Sequence, residues 1–401
     1  MTCRCELRKK IKAAAVPWIP ERTVYLDYNA TTPVDPRVLG AFERACRQSW
    51  GNPSSLHSAG SAAWNELEQL YKAAGSFFNT EPEGFHFCSS GTEALTAAIF
   101  GLASRKKELC FITSPIEHQA VRHPLFHLGR RSPAAPAGYR GCVRTVGVNG
   151  SGVIEPDKLD GMLRDSGPAA VVISPVNHET GTVQPVREIS RVVRGRGALL
   201  ILDGVQAAAR LQPAEWAPYA DIFCISGHKL CAPKGTALIW KKPDIRLTPL
   251  RFGGSQEGGL FPGTENVPGA AALTEALRLL KKEQADELRM LRALIRDGIA
   301  ILEKADIGFR MESPPEAAPG VLCISLDYAG SMEKLIFELN SRKICISRFS
   351  ACSEKLDGPS PVLKAMGRPP GYSGKSIRIS AGRWSRRDDF YKLAAALKEC
   401  L

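Results

Sequence analysis

The stretch that most restricts what this chain can become is Asp221-Ile222-Phe223-Cys224-Ile225-Ser226-Gly227-His228-Lys229, followed by Leu230-Cys231-Ala232-Pro233-Lys234-Gly235-Thr236-Ala237-Leu238-Ile239-Trp240. Two apolar, partly β-branched runs flank a polar segment, and Pro233 and Gly235 turn the chain between them. The pattern predicts two buried strands with Lys229 at a strand end. A lysine in that place can lose solvent and act as an amine nucleophile toward an aldehyde. Taken alone, Lys229 also reads as a solvated lysine in a hairpin turn.

Other stretches repeat the pattern of a buried strand that ends in chemistry. Ala198-Leu199-Leu200-Ile201-Leu202-Asp203 predicts a parallel strand buried on both faces that carries a carboxylate at its carboxyl end. Asp203 is placed to face a cofactor, or to cap a helix. Phe85 to Cys88 reads as a strand, and Ser89-Ser90-Gly91-Thr92-Glu93 then opens a helix with Leu95, Ile99 and Leu102 on its apolar face. A strand, a polar turn and a helix start make an anion site, the plain alternative being a Ser/Thr cap without ligand. Cys110 to Thr113 is a strand leading to Ser114-Pro115-Ile116-Glu117-His118, and Ala170 to Ser174 one leading to Pro175-Val176-Asn177-His178-Glu179-Thr180-Gly181. Ser347-Arg348-Phe349-Ser350-Ala351-Cys352-Ser353 places Cys352 in a polar stretch, where a thiolate is accessible for attack or is simply a free surface cysteine. Ser376-Ile377-Arg378-Ile379-Ser380 offers a guanidinium suited to a bidentate grip on a carboxylate.

Together, and in this order, the motifs resemble the class V aminotransferase family of fold-type I pyridoxal-phosphate enzymes, and within it the cysteine desulfurases, from about Val24 to about Ala396. The resemblance implies an α/β fold: a large, mostly parallel-sheet domain and a smaller α+β C-terminal domain. It implies pyridoxal 5'-phosphate with Lys229 on its aldehyde, Asp203 on its ring nitrogen, Gln206 and Asn177 on its ring oxygen, and His118 stacked on the ring and moving protons. Gly91, Thr92, Ser226 and His228 would hold its phosphate. Thr264, in the glycine-rich stretch from Phe252 to Asn266, would reach the phosphate of a partner copy, implying a homodimer. Arg378 and Asn177 would bind the substrate carboxylate. Ser-Ala-Cys-Ser resembles the catalytic loop of the long-loop desulfurases, so Cys352 would take sulfur from L-cysteine as a persulfide, leave L-alanine, and pass the sulfur to an acceptor protein, a scaffold or a sulfur carrier, in iron-sulfur cluster assembly or a related pathway.

The chain departs from the family pattern at several points. Ala94, Leu95 and Thr96 replace a Ser and two polar residues, and His178 replaces the second Asn of its motif. Gly204 stands where the family has a small Ala beneath the ring, and Gly258 and Phe261 replace two arginines. The rival readings are a selenocysteine lyase or other pyridoxal-phosphate lyase, and a non-catalytic accessory or nucleic-acid-binding protein on the same fold.

The 401 residues divide into an N-terminal arm (1–22), a large cofactor-binding unit (23–266) and a small unit (267–401) that carries Cys352. The net charge is +12, but Lys and Arg are spread along the chain without a dense basic run interleaved with aromatics, so nucleic acid is not the expected partner. The 12 cysteines show no CxxC pair or metal-ligand spacing, so no metal is expected, and many sit in apolar runs. That usage, with no apolar run long enough to span a bilayer, fits a reducing, cytoplasmic setting.

Overall fold

The apolar runs form strands numbered here in chain order: β1 (Val24–Tyr25), β2 (Phe85–Cys88), β3 (Cys110–Thr113), β4 (Val143–Thr145), β5 (Ala169–Ile173), β6 (Leu199–Asp203), β7 (Ile222–Ser226), β8 (Ala237–Lys241), β9 (Phe309–Met311), β10 (Val321–Leu326), β11 (Ile344–Cys345) and β12 (Ser376–Ser380). The computed structural model describes residues 23–349 and 359–401. Cys352 and the N-terminal arm, with Cys3 and Cys5, lie outside the described residues.

Among the described residues, β2-β8-β7-β6-β5-β3-β4 form one sheet, in which β3 to β7 run parallel and β8 is antiparallel to both neighbours. Side chains alternate between two covered faces. Leu200, Leu202, Phe223 and Ile225 join Phe78 and Trp216 on one side. Ile201, Ile222 and Cys224 join Leu95, Ile99 and Leu102 of the helix Gly91–Arg105 on the other. Burial on both faces is why β5, β6 and β7 read as continuous apolar runs. The parallel strands also share one carboxyl edge, where ligands bind in open α/β sheets.

A second sheet, β12-β10-β9, packs Leu322, Ile324, Ile377 and Ile379 against Leu291, Leu302 and Phe390. Two features join the sheets. The helix Val267–Lys304, capped by Asn266 through Gly269 N at 3.1 Å, buries Ala270 to Leu280 in the large core and Leu291 to Leu302 in the small one. β1 pairs with β11, and Val24 and Leu26 lie in the small core, although the sequence groups them with the large unit.

The stretch Arg130 to Gly141, rich in Pro, Ala and Gly, is pinned at its end. Tyr139 is buried, and its hydroxyl donates to Leu109 O at 2.7 Å. Cys142 forms a disulfide with Cys110 of β3, a pairing that the expectation of reduced thiols did not contain. Among the described residues, no helix is long and apolar enough to cross a membrane.

Candidate active site

Four strands of the large sheet and one of the second deliver the site. β6 ends at Asp203, β7 at Ser226 and the turn Gly227–Lys229, β3 leads to His118, and β5 leads to Asn177 and His178. β12 brings Arg378 from the second sheet.

Lys229 Nζ donates to Ala30 O at 2.7 Å and to Asn29 O. Asn29, 1% exposed, joins much of the site. Its carbonyl also accepts from Gln206 Nε2 at 3.0 Å, its Oδ1 accepts from Arg210 Nη2 at 2.8 Å, and its Nδ2 donates to His178 O at 3.2 Å. Asn29 is not among the candidate residues read from the sequence. These partners, with Ser380, whose Oγ accepts from Asn29 N at 2.9 Å, lie between 149 and 351 residues away.

Asp203 is buried and held by Val205 N at 3.1 Å. Burial pushes its carboxyl up, while Val205 N–H, His178 and Lys229 pull it down. His118 caps the helix Gln119–Gly129 by accepting from Ala120 N through Nδ1 at 3.1 Å, which leaves the ring proton on Nε2. Burial, with His178, Lys229, Arg378 and His123 around it, lowers its pKa to about 3, so the ring is neutral near pH 7. The His178 ring stands at 90° to it, with centroids 5.2 Å apart, and lies 3.6 Å from Glu179 Oε1.

Asn177 locks its own turn. Its Oδ1 accepts from Glu179 N, Thr180 N and Thr180 Oγ1 at 2.9 to 3.1 Å, and its Nδ2 donates to Ile116 O at 2.9 Å. Among the described residues, one Nδ2 hydrogen is left for a ligand. Arg378, 1% exposed, donates to Asp27 Oδ1 at 2.9 Å and to His178 O at 3.0 Å, while its buried Nε has no partner among the described residues.

At the start of the helix Gly91–Arg105, Ser90 Oγ accepts from Glu93 N at 3.1 Å, so that hydroxyl is a cap as well as a candidate phosphate donor. A Cβ on Gly91 would lie 2.8 Å from Val205 Cγ2 and 3.5 Å from Ser226 Cβ. Gly91, Val205 and Ser226 therefore form one cradle, with Thr92 exposed beside it. Val205, rather than Gly204, faces this cradle, because a Cβ on Gly204 would point into Trp216, 2.6 Å from the ring. The departure at Gly204 is thus a matter of core packing, not of the floor of the site. His228 Nδ1 meets Thr31 Oγ1 at 3.1 Å, and burial lowers its pKa to about 4. Thr264 is exposed and away from these groups' hydrogen bonds. In the glycine-rich stretch, Gly258 has φ +65°, which suits glycine at this departure. Glu257 beside it, pushed up to about 7 by burial, accepts from Tyr71 Oη at 2.6 Å and Phe87 N at 2.8 Å.

The described chain on either side of Cys352 is tied to this site. Ser347 pairs with Arg378 through bonds of 2.7 and 3.3 Å, and Ser360 Oγ donates to Glu179 Oε2 at 2.5 Å. Glu117 was not singled out by the sequence. It is buried next to His118 and braces β3 to β5 by accepting from Ser114 Oγ, Ser174 N and Ser174 Oγ.

Comparison with known proteins agrees with this arrangement. Residues 24–393 match the family model described as aminotransferase class-V. The chain is 33% identical over 381 residues, covering 94% of it and 92% of the relative, to a cysteine desulfurase of Trichormus azollae. It is 34% identical over 367 residues, 90% of it and 93% of the relative, to a putative cysteine desulfurase, IscS 1, of Bacillus subtilis. A solved structure of a NifS-like protein from Rickettsia africae superposes with a TM-score of 0.82 at 25% identity, over 94% of this chain and 99% of that one. A fold-type I sheet that gathers a lysine, an aspartate and a histidine at its carboxyl edge, matched over nearly its whole length, places this chain in the class-V aminotransferase family.

Proposed function

We propose that this chain is a cysteine desulfurase that takes the sulfur of L-cysteine onto Cys352 and leaves L-alanine. The observation that carries the reading is the convergence of Lys229, Asp203, His118 and Arg378 from different strands on one sheet edge.

The donor set suits pyridoxal 5'-phosphate. A buried carboxyl at Asp203 matches a protonated ring nitrogen, Gln206 and the spare Asn177 hydrogen match the ring oxygen, and the Gly91 cradle with Thr92, Ser226 and His228 matches the phosphate. When bound, the cofactor supplies an electron sink for a carbanion. The chain's own groups do the rest. Lys229 Nζ would hold the aldehyde, and its free amine is the base placed to take the substrate's α-proton. Arg378, already positioned by Asp27, orients the substrate carboxylate and gains a partner for Nε. His118 passes protons through Nε2 between carbon and sulfur. Cys352 thiolate attacks the substrate sulfur, the carbon–sulfur bond breaks toward carbon, and the carbon takes up protons to become alanine. The persulfide then passes to a thiol of an acceptor protein.

Thr264 serves a second copy's phosphate in a homodimer. Exposed Trp50, Leu56 and Phe252 supply apolar surface for such a partner to cover. A cleft of about 340 Å³ bounded by Ser90, Thr92, Arg251 and Phe261 leaves room beside the cradle for a partner's loop. The two cores support a large unit (23–266) and a small unit (267–401), with the helix Val267–Lys304 shared by both and β1 lending Val24 and Leu26 to the small core. A thiol-dependent reaction favours the cytoplasm, where the Cys110–Cys142 disulfide would be an exception.

The test is release of sulfide and alanine from L-cysteine in the presence of a reductant, run beside Cys352→Ala. Equal amounts of both products that vanish in the variant support the reading. A wild type that binds the cofactor yet releases neither product ends it.

A further inference from the structure

Arg210, at the end of the short helix Ala207–Arg210, is a buried guanidinium that no carboxylate hydrogen-bonds among the described residues. Glu287, whose charge acts on it, bonds Arg383 instead. Burial lowers the Arg210 pKa to about 10, so the group stays charged at neutral pH. A buried charge without a bonded counter-charge is costly unless hydrogen bonds meet it. Three neutral oxygens do so here. Nη1 donates to Pro319 O at 3.1 Å and to Ala381 O at 2.8 Å, and Nη2 donates to Asn29 Oδ1 at 2.8 Å. The backbone is shaped for this approach. Gly320, just before β10, has φ +82°, and a Cβ on it would stand 2.3 Å from Arg210 Nη1.

What the charge holds is Asn29. Among the described residues, Arg210 is the one donor to Asn29 Oδ1, while Asn29 N donates to Ser380 Oγ at 2.9 Å and Nδ2 to His178 O at 3.2 Å. With the residue fixed at these three atoms, its carbonyl faces Gln206 Nε2 and Lys229 Nζ, and Ala30 O is a second acceptor for Lys229. A neutral amine seated on two carbonyls directs its N–H groups at them and turns its lone pair away from both, as attack on an aldehyde or removal of a proton requires.

We propose that Arg210 is a positioning residue that acts through Asn29: its charge clamps the Asn29 side chain, and the clamped carbonyl sets where the Lys229 amine sits. Ala381 follows β12, so the same guanidinium ties that seat to the strand that carries Arg378. The role of Lys229 rests on the functional reading above, so the experiment has one arm that does not need the cofactor.

In that arm, hydrogen exchange of the cofactor-free protein is followed by mass spectrometry. Arg210→Met speeds exchange at residues 28–32 about tenfold, the worth of one buried hydrogen bond, and leaves β7 unchanged. In the second arm, pyridoxal-phosphate affinity is followed by absorbance. Arg210→Met and Asn29→Ala each weaken it about tenfold, and the double variant binds no more weakly than Asn29→Ala alone, because one residue acts through the other. Arg210→Lys, which keeps a charged donor for Asn29 Oδ1, restores most of the loss. Circular dichroism confirms that each variant is folded. Unchanged exchange at residues 28–32, an equal rise in β7, or additive losses in the double variant overturns the proposal. A wild type that binds no cofactor sinks the functional reading, and the clamp on Asn29 then stands or falls by the first arm.

Discussion

The Trp216 indole lies directly against Gly204, so that a Cβ on the glycine would stand 2.6 Å from the ring. Trp216 is fully buried and packs edge-on against Phe78 and Phe223, which leaves the indole nowhere to move. Gly204→Ala, which installs the residue usual in the family, therefore overpacks the core and destabilises the fold by about 1–3 kcal/mol. In a Trp216→Phe background the same change costs less. A double-mutant cycle by denaturant unfolding measures the coupling, and strictly additive effects would contradict the contact.

Acid stability has opposing contributions. His86, His118 and His228 are buried with pKa values lowered to about 4, 3 and 4, so the unfolded chain binds protons that the folded chain does not from about pH 6.5 down to those values. Each histidine removes stability as pH falls through that window, by up to about 1.4 kcal/mol per pH unit. Glu117 and Glu257, raised to about 7, act in the opposite sense, because the folded chain holds their protons from about pH 4.5 to 7 and stability falls as pH rises there. Between pH 6.5 and 4.5 the three histidines outweigh the two glutamates by one proton, a net loss of up to about 1.4 kcal/mol per pH unit, and below 4.5 the histidines act alone. Unfolding midpoints measured from pH 7 down to pH 4 should therefore fall gradually below pH 6.5 and more steeply below pH 4.5; a midpoint still rising toward pH 4 is the contrary result.

The Cys110–Cys142 disulfide closes a loop with a sequence separation of 32. In the chain-entropy view, a crosslink of that span stabilises by about 3–4 kcal/mol. Peptide mapping without reductant should find the crosslinked pair. Reduction or Cys142→Ser should then lower the thermal midpoint while leaving β7 and β8, with Lys229, in place.

Glu257 fastens the glycine-rich stretch to this chain through Tyr71 and Phe87 N. Replacing it with Ala leaves a buried backbone N–H and a phenol without partners, at a cost of about 1–3 kcal/mol. Limited proteolysis should cleave residues 252–266 faster in Glu257→Ala. An unchanged cleavage rate would show that other contacts hold the stretch.

The site was legible wherever one strand carries its own chemistry at its end. Asp203, Lys229 and Asn177 each follow an apolar run that can only be a buried strand, and the parallel order of those strands forces their carboxyl ends together. Residues whose meaning depends on distant partners were not legible in the same way. Glu117 is defined by Ser174, 57 positions away, and Asn29 by Lys229, 200 away. Gly204, read from its motif as part of the site's floor, proved to be shaped by a tryptophan outside every motif.

Local periodicity and short motifs were enough to read the buried strand runs, the strand-end positions of Lys229 and Asp203, and the family pattern. It takes the folded chain to show that β1 belongs to the small core, that Cys110 and Cys142 meet, that Val205 rather than Gly204 faces the cradle, and that Glu117 ties β3 to β5 through Ser174. Those relations depend on which side chains a folded sheet brings within a few ångströms of each other, and a linear pattern does not encode that proximity.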